Sequence, residues 1–228
     1  MDIWGLLFAL FFRTLIFQPF STPSGGMIPT LEVGDIFMAS KYAYGYSRFS
    51  APAFLVDRLD VFPPGRFFSL TPKRGDVVVF KLPRDNQTDY VKRVIGLPGD
   101  KVQMIAGRLS INGAIVEREP IAPYAANGQS GKRIAAPHYI ETLPGGVRHE
   151  IIELDRDAGF LDNTPVYEIP AGNYFVMGDN RDNSTDSRVA ADKGGVGLVP
   201  RENIVARAER VVFSTSASGL GRLFLVVH

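Results

Sequence analysis

From residue 21 onward the chain offers almost no helical periodicity. Its apolar residues come in short runs closed off by Gly, Pro and Asp, the pattern of strands joined by tight turns. Val77–Phe80 reads as a buried strand, and Asp89 to Ile95 as another. Lys101–Ile105, Arg108–Ile111 and Ala114–Glu117 read as a meander turning at Ala106-Gly107 and Asn112-Gly113, the latter suited to a type I′ hairpin. Asn173–Met177 and Ile204–Phe213 complete the set. Between them, 119–165 is richer in turn residues and less patterned, and reads as the outer part of an inserted lobe. Arg48–Pro72 is aromatic and Pro-rich, too apolar for a solvated linker; a membrane-facing flap and a loop packed on the core both fit.

The first twenty residues differ. Ile3 to Phe12 are continuously apolar, Arg13 and Thr14 interrupt, and Leu15 to Phe17 resume. A helix from Ile3 to Phe20 would be about 27 Å long, enough for a thin bilayer core. Arg13 would snorkel toward an interface. A cleaved signal peptide lacks its basic start and a convincing small-residue cleavage site here, and a buried helix is the remaining option. An uncleaved anchor is the expectation. The layout is then an anchor at 1–20, a β core at 21–104 and 173–216, a β-rich inserted lobe at 105–172 and a tail at 217–228.

Composition excludes several chemistries. A net charge of +1 with no basic block gives no electrostatic case for nucleic acid. With no cysteine, disulfides and thiol nucleophiles are ruled out. Three histidines leave few members for a triad or a histidine metal site, and His138 and His149 read as surface or loop residues.

Three segments hold more special residues than folding needs. One is Pro23-Ser24-Gly25-Gly26-Met27-Ile28-Pro29-Thr30-Leu31. The second is Arg74-Gly75-Asp76, which leads into the strand pair ending Tyr90-Val91-Lys92-Arg93-Val94-Ile95-Gly96-Leu97-Pro98-Gly99-Asp100. The third runs from Gly178 to Arg188, GDNRDNSTDSR. Strand alternation points Lys92 with Tyr90 and Val94. A lysine on an apolar buried face loses the solvation of its ammonium, the condition for a general base near neutral pH. An edge lysine snorkelling to water is the bland reading. In the third segment Asp179, Asp182 and Asp186 offer calcium ligands, but the spacing is not that of an EF-hand and the arginines oppose a cation. Asp–Arg pairs and side-chain-to-backbone bonds are the better account.

Taken together and in this order, the segments resemble the bacterial type I signal peptidases, from Arg13 to about Arg210. The resemblance implies a mostly β fold with a catalytic core against the membrane and a β-rich insert. It implies no cofactor or metal, and as partners the signal peptides of exported pre-proteins and the lipid bilayer. It places the protein in the bacterial inner membrane, single-pass, with its catalytic domain outside the cytoplasm. Lys92 then matches the general base, Ser184 the serine that orients it, and Ser24 the hydroxyl of the oxyanion hole. Asp186, Arg188 and Arg93 match a supporting ion-pair network.

One departure outweighs these matches. The family pattern reads Pro-Ser-Gly-Ser-Met with the second serine as nucleophile, and here Gly26 stands in its place. Glycine cannot attack a carbonyl. A serine endopeptidase whose nucleophile is missing and a non-cleaving relative that binds signal peptides or a membrane partner both follow. A soluble serine–lysine autoprotease of the repressor type is disfavoured by the apolar N-terminus and the lack of a DNA-binding helix pair.

Overall fold

The computed structural model describes residues 4–5, 15–50, 66–68, 70–127, 133–155, 159–216 and 219–228. Among the described residues fourteen strands dominate, joined in places by 3-10 turns of three or four residues. In chain order the strands are β1 (Phe17–Ser21), β2 (Asp35–Ser40), β3 (Val77–Lys81), β4 (Asp89–Gly96), β5 (Lys101–Ile105), β6 (Arg108–Ile111) and β7 (Ala114–Ile115). Then follow β8 (Glu117–Asn127), β9 (Arg133–Leu143), β10 (Val147–Ile152), β11 (Tyr167–Glu168), β12 (Asn173–Met177), β13 (Val199–Pro200) and β14 (Ile204–Ser214).

Seven strands form one sheet in the order β1-β2-β14-β3-β4-β12-β13. Its centre is apolar on both faces, which is why β3 reads as an unbroken run of Val and Phe. Val77 and Val79 pack with Met27, Leu31, Phe37 and Val211. Val78 and Phe80 pack on the other side with Tyr44, Val94, Tyr174 and Val176. A third cluster, including Ile95, Met104, Leu109, Phe175 and Met177, joins this sheet to a four-stranded one ordered β11-β5-β6-β7.

The predicted meander is present, and Asn112 and Gly113 both take positive φ (54° and 82°), as a type I′ turn requires. The four-stranded sheet begins at Lys101 and closes when β11 pairs with Lys101 and Val102. The expected border at residues 104 and 105 therefore falls at the end of β5 rather than between sheets.

Two expectations are corrected. The segment read as poorly patterned holds β8 and β9, each eleven residues long, which with β10 make a three-stranded sheet. Pro120, Pro123 and Pro137 hid them, because proline cannot donate to a ladder. The register slips between Ile121 and Tyr124, so Pro137 lies opposite a bulge where no N–H is needed. Second, the helix expected to reach Phe20 gives way to β1, which pairs with β2 from Phe17 onward. Trp4, Gly5 and Leu15 are helical, while 6–14, the bulk of the expected anchor, lie outside the described residues. Among the described residues no helix is long and apolar enough to cross a membrane. Most of the Arg48–Pro72 flap also lies outside them. Its far end is tied down by Arg66, which donates to the carbonyls of Tyr44, Gly45, Arg201 and Ile204.

The C-terminal segment is not a trailing tail. Arg222 forms an ion pair with fully buried Asp35 at 2.7 Å and donates to the carbonyl of Thr30 at 2.9 Å. Arg222→Met would strand a buried carboxylate, and is expected to lower the unfolding free energy in urea titrations by about 3–5 kcal/mol.

Candidate active site

The segment after β1 is fixed by its own apolar residues. Met27 and Leu31 are fully buried in the core cluster, and the Leu31 N–H donates to the Met27 carbonyl at 2.9 Å. Burying each contributes about 1.5–3 kcal/mol. They pin the 3-10 turn Gly25–Met27 against the sheet and leave Gly26 facing inward. Ser24 precedes the turn in extended conformation and is exposed, and its side chain makes no capping bond.

Lys92 comes from β4, opposite Val78 of β3. It is 5% exposed, and its Nζ lies 6.0 Å from the centre of the Tyr90 ring, on the side that strand alternation assigns. A Cβ placed on Gly26 would be 2.9 Å from that Nζ. The amine and position 26 thus meet, although 66 residues of sequence separate them. The φ of Gly26 lies outside the left-handed region, so its backbone accepts an L side chain. The group in the way is the mobile end of a lysine, with the Asn183 carbonyl next at 3.3 Å.

Burial pushes the Lys92 amine below its ordinary pKa. Asp186 and Asp179 pull the other way, and Arg188 adds to the lowering. Desolvation outweighs the carboxylates, each of which is itself bound to an arginine. Asp186, fully buried, accepts from Nε and a terminal nitrogen of Arg188, both at 2.9 Å, and from the Gly178 N–H at 3.1 Å. Asp179 accepts from Arg93 through two bonds, at 2.8 and 2.7 Å. Burial opposes charge on both acids, yet the adjoining arginines keep both below the usual carboxylate range.

The expected supporting network therefore exists as two separate pairs. Arg93 serves Asp179, not Asp186, and also donates to the Gly75 carbonyl at 2.8 Å. Gly75 holds φ +90°, which accounts for the glycine in Arg74-Gly75-Asp76. Asp179 was legible only as one acid among several, since its partner lies 86 residues away. Ser184 arrives beside the site, its Cα 3.7 Å from a Cβ on Gly26, and its buried hydroxyl has no hydrogen-bond partner.

Sequence reasoning missed three contributors. Gly178 is glycine because any Cβ there would fall 2.3 Å from the Gly26 carbonyl oxygen and 2.2 Å from Ser184 Oγ. Asn180 ties the loop to the turn, its side chain donating to the Gly25 carbonyl at 3.0 Å and its N–H to Gly26 at 3.2 Å. His149 is the third, and its expected surface or loop position is corrected. It stands on β10, buried, 3.5 Å from Glu141 and 3.9 Å from Asp179. Burial pushes its pKa down to about 4, with Arg93 adding to the lowering, so it is neutral. His138 also lies on a strand, β9, bonded to the Ala122 carbonyl and Glu150.

The calcium option does not assemble as Asp179, Asp182 and Asp186, since two of these are taken by arginines. Glu153, Asp162 and Asp182 do converge within 4.8 Å. Asp182 is already engaged by the N–H groups of Leu154 and Asp155, and Asp162 by that of Gly159, so the trio serves to close loops.

A cleft of about 390 Å³ opens over Lys92 and Gly26. Phe20, Ser21, Ser24, Phe37, Val79, Asn183 and residues 88–91 complete most of its wall. β12 covers β4 only from Arg93 onward, so Asp89–Lys92 present an unpaired backbone edge among the described residues.

The family model described as signal peptidase, peptidase S26, matches residues 3–213. The chain belongs to this family. Two curated relatives named signal peptidase I support the assignment. One, from Rickettsia canadensis, is 41% identical over 91% of this chain and 76% of its own. The other, from Rickettsia prowazekii, is 42% identical over the same shares. A solved signal peptidase I from Enterococcus faecalis aligns over 60% of this chain and 97% of its own, at 25% identity and a TM-score of 0.35. Peptidases of the S26 family are serine endopeptidases, and a mostly β chain with a lysine buried beside position 26 fits that membership.

Asp179→Asn would leave Arg93 buried without its counter-charge. Urea unfolding should register a loss of about 3–5 kcal/mol.

Proposed function

We propose that this protein has the cleft and base of a membrane-tethered signal peptide endopeptidase, with position 26 as the station of a nucleophile that Gly26 leaves empty. The observation that carries this reading is the 2.9 Å between Lys92 Nζ and a Cβ at position 26. Lys92 serves as general base, because burial lets it lose its proton where an ordinary lysine would not. Ser184 stands beside position 26 as the hydroxyl that would orient the amine once a substrate draws the two together, since it makes no bond here, and the Asp186–Arg188 and Asp179–Arg93 pairs hold the floor. Ser24, exposed on the cleft wall, supplies a hydroxyl to the developing oxyanion. The apolar residues before β1 tether the domain to the outer face of the inner membrane.

A signal peptide would lie extended along the free edge at Asp89–Lys92, its backbone bonded as an added strand. Phe20, Phe37 and Val79 give the cleft an apolar wall for its side chains. Ser24 does not replace the lost nucleophile. Ser24 stands exposed ahead of the 3-10 turn that carries Gly26, two residues from the position Lys92 faces, whereas a base must approach to roughly 3 Å. As it stands, the same geometry favours a second reading, capture of a signal peptide without cleavage.

The test uses the purified full chain in detergent with a pre-protein substrate. The chain as given should release no mature protein, and Gly26→Ser should. Lys92→Ala in the Gly26→Ser background should cut the rate by about 10²–10⁴-fold. Cleavage by the chain as given, abolished by Ser24→Ala, would overturn the assignment of position 26.

The pH dependence has a definite sign. A base works only after losing its proton, and burial lowers the pH at which Lys92 does so. The rate of Gly26→Ser should therefore rise with pH along a limb lying below the ordinary lysine range. A limb at that range or above would contradict a desolvated base.

A further inference from the structure

We propose that in this chain the Lys92 amine is itself a covalent capture site for aldehydes, above all peptidyl aldehydes, which it takes up as an imine. The proposal rests on the reading of the cleft as a peptide site, but not on any cleavage chemistry.

Three observations lead to it. Nζ occupies the space that a side chain at position 26 would claim and is the nearest atom to the point where its Cβ would stand. It lines the open cleft and forms no hydrogen bond or ion pair with the described residues. Lys41 supplies the contrast, being equally buried at 4% but donating to the Ser50 carbonyl at 2.6 Å. The third is the unpaired edge at Asp89–Lys92, which places an extended peptide's terminal carbonyl within reach of the amine. With a serine at position 26 the hydroxyl would meet that carbonyl first and give a hemiacetal. With glycine the nitrogen meets it.

The chemistry balances without a cofactor. The unprotonated amine adds to the aldehyde carbon, forming a C–N bond as the carbonyl electrons move to oxygen. Proton transfer from nitrogen to oxygen gives the carbinolamine. Loss of that oxygen as water leaves the C=N bond. The unprotonated amine starts this sequence, and burial favours that form by lowering the Lys92 pKa.

The experiment incubates the full chain in detergent near neutral pH with an N-acetyl tripeptide aldehyde ending in alaninal. Cyanoborohydride then reduces any imine to a stable secondary amine, and peptide mass mapping locates it. The expected result is one adduct on Lys92, at least about tenfold above any of the other six lysines. Labelling should saturate with the peptide aldehyde at lower concentration than with acetaldehyde. It should fall in Gly26→Ser, because a hemiacetal is not reduced by cyanoborohydride. Modification spread evenly over Lys73, Lys101 and Lys193, with Lys92 no better, would overturn the proposal. So would unchanged Lys92 labelling in Gly26→Ser. The two readings fail separately. Cleavage by Gly26→Ser without labelling of the parent chain sinks the capture site alone, and labelling without cleavage sinks the peptidase alone.

Discussion

An amine stripped of water at the end of Lys92 is the constraint around which the site is arranged. An ammonium there would lose most of its hydration, so the surroundings must either supply a counter-charge or let the proton go. Two carboxylates favour the proton from a distance, and each is paired with its own arginine. Asp186 is bound to Arg188 and Asp179 to Arg93, all four essentially buried. Burial of such pairs contributes little net stability, because desolvation offsets the attraction. Here burial outweighs the pull of both acids on the Lys92 amine, and Arg188 adds to the lowering.

The same pairs account for much of the surrounding architecture. Arg93 follows Lys92 on β4 and reaches Asp179 in the loop after β12, so one strand carries the buried amine and the anchor of the opposing loop. That loop is gripped on its other side by the end of β10. The Ile152 N–H donates to the Asp179 carbonyl, and the Arg181 N–H donates back to Ile152, each at 3.0 Å. Arg181 pairs in turn with Glu141 of β9, beside neutral His149. The three-stranded sheet built from the insert thus positions Asn180, which holds the carbonyls of Gly25 and Gly26. A lobe distant in sequence becomes part of the floor of the site.

Gly26 and Gly178 illustrate two different uses of the smallest residue. At Gly178 a side chain is forbidden, since a Cβ would collide with the Gly26 carbonyl and Ser184 Oγ. At Gly26 a side chain is permitted: φ is ordinary and the obstruction is the tip of a lysine. The fold therefore has no steric need for glycine at position 26. What the absent side chain changes is chemistry, because the amine takes the space and becomes the first group a carbonyl would meet.

The sequence by itself determined the strands with clean apolar patterning, the Asn112-Gly113 turn, the absence of cysteine chemistry and the three segments that converge on the cleft. These are local properties, written in side-chain alternation and turn residues. It also singled out Lys92, Ser184 and the missing hydroxyl at Gly26 through order and motif. It read 105–172 as β-rich without marking out β8 and β9, where prolines weaken the local signal and a bulge opposite Pro137 restores the ladder. It also misplaced the end of the N-terminal helix, because Phe17–Ser21 is apolar enough for either state until β2 offers a partner. Only the tertiary structure decided which acid serves which arginine, that His149 is buried, and that Lys92 is desolvated. Each is a matter of distance between residues far apart in the chain, and burial belongs to a position in space rather than to a residue type.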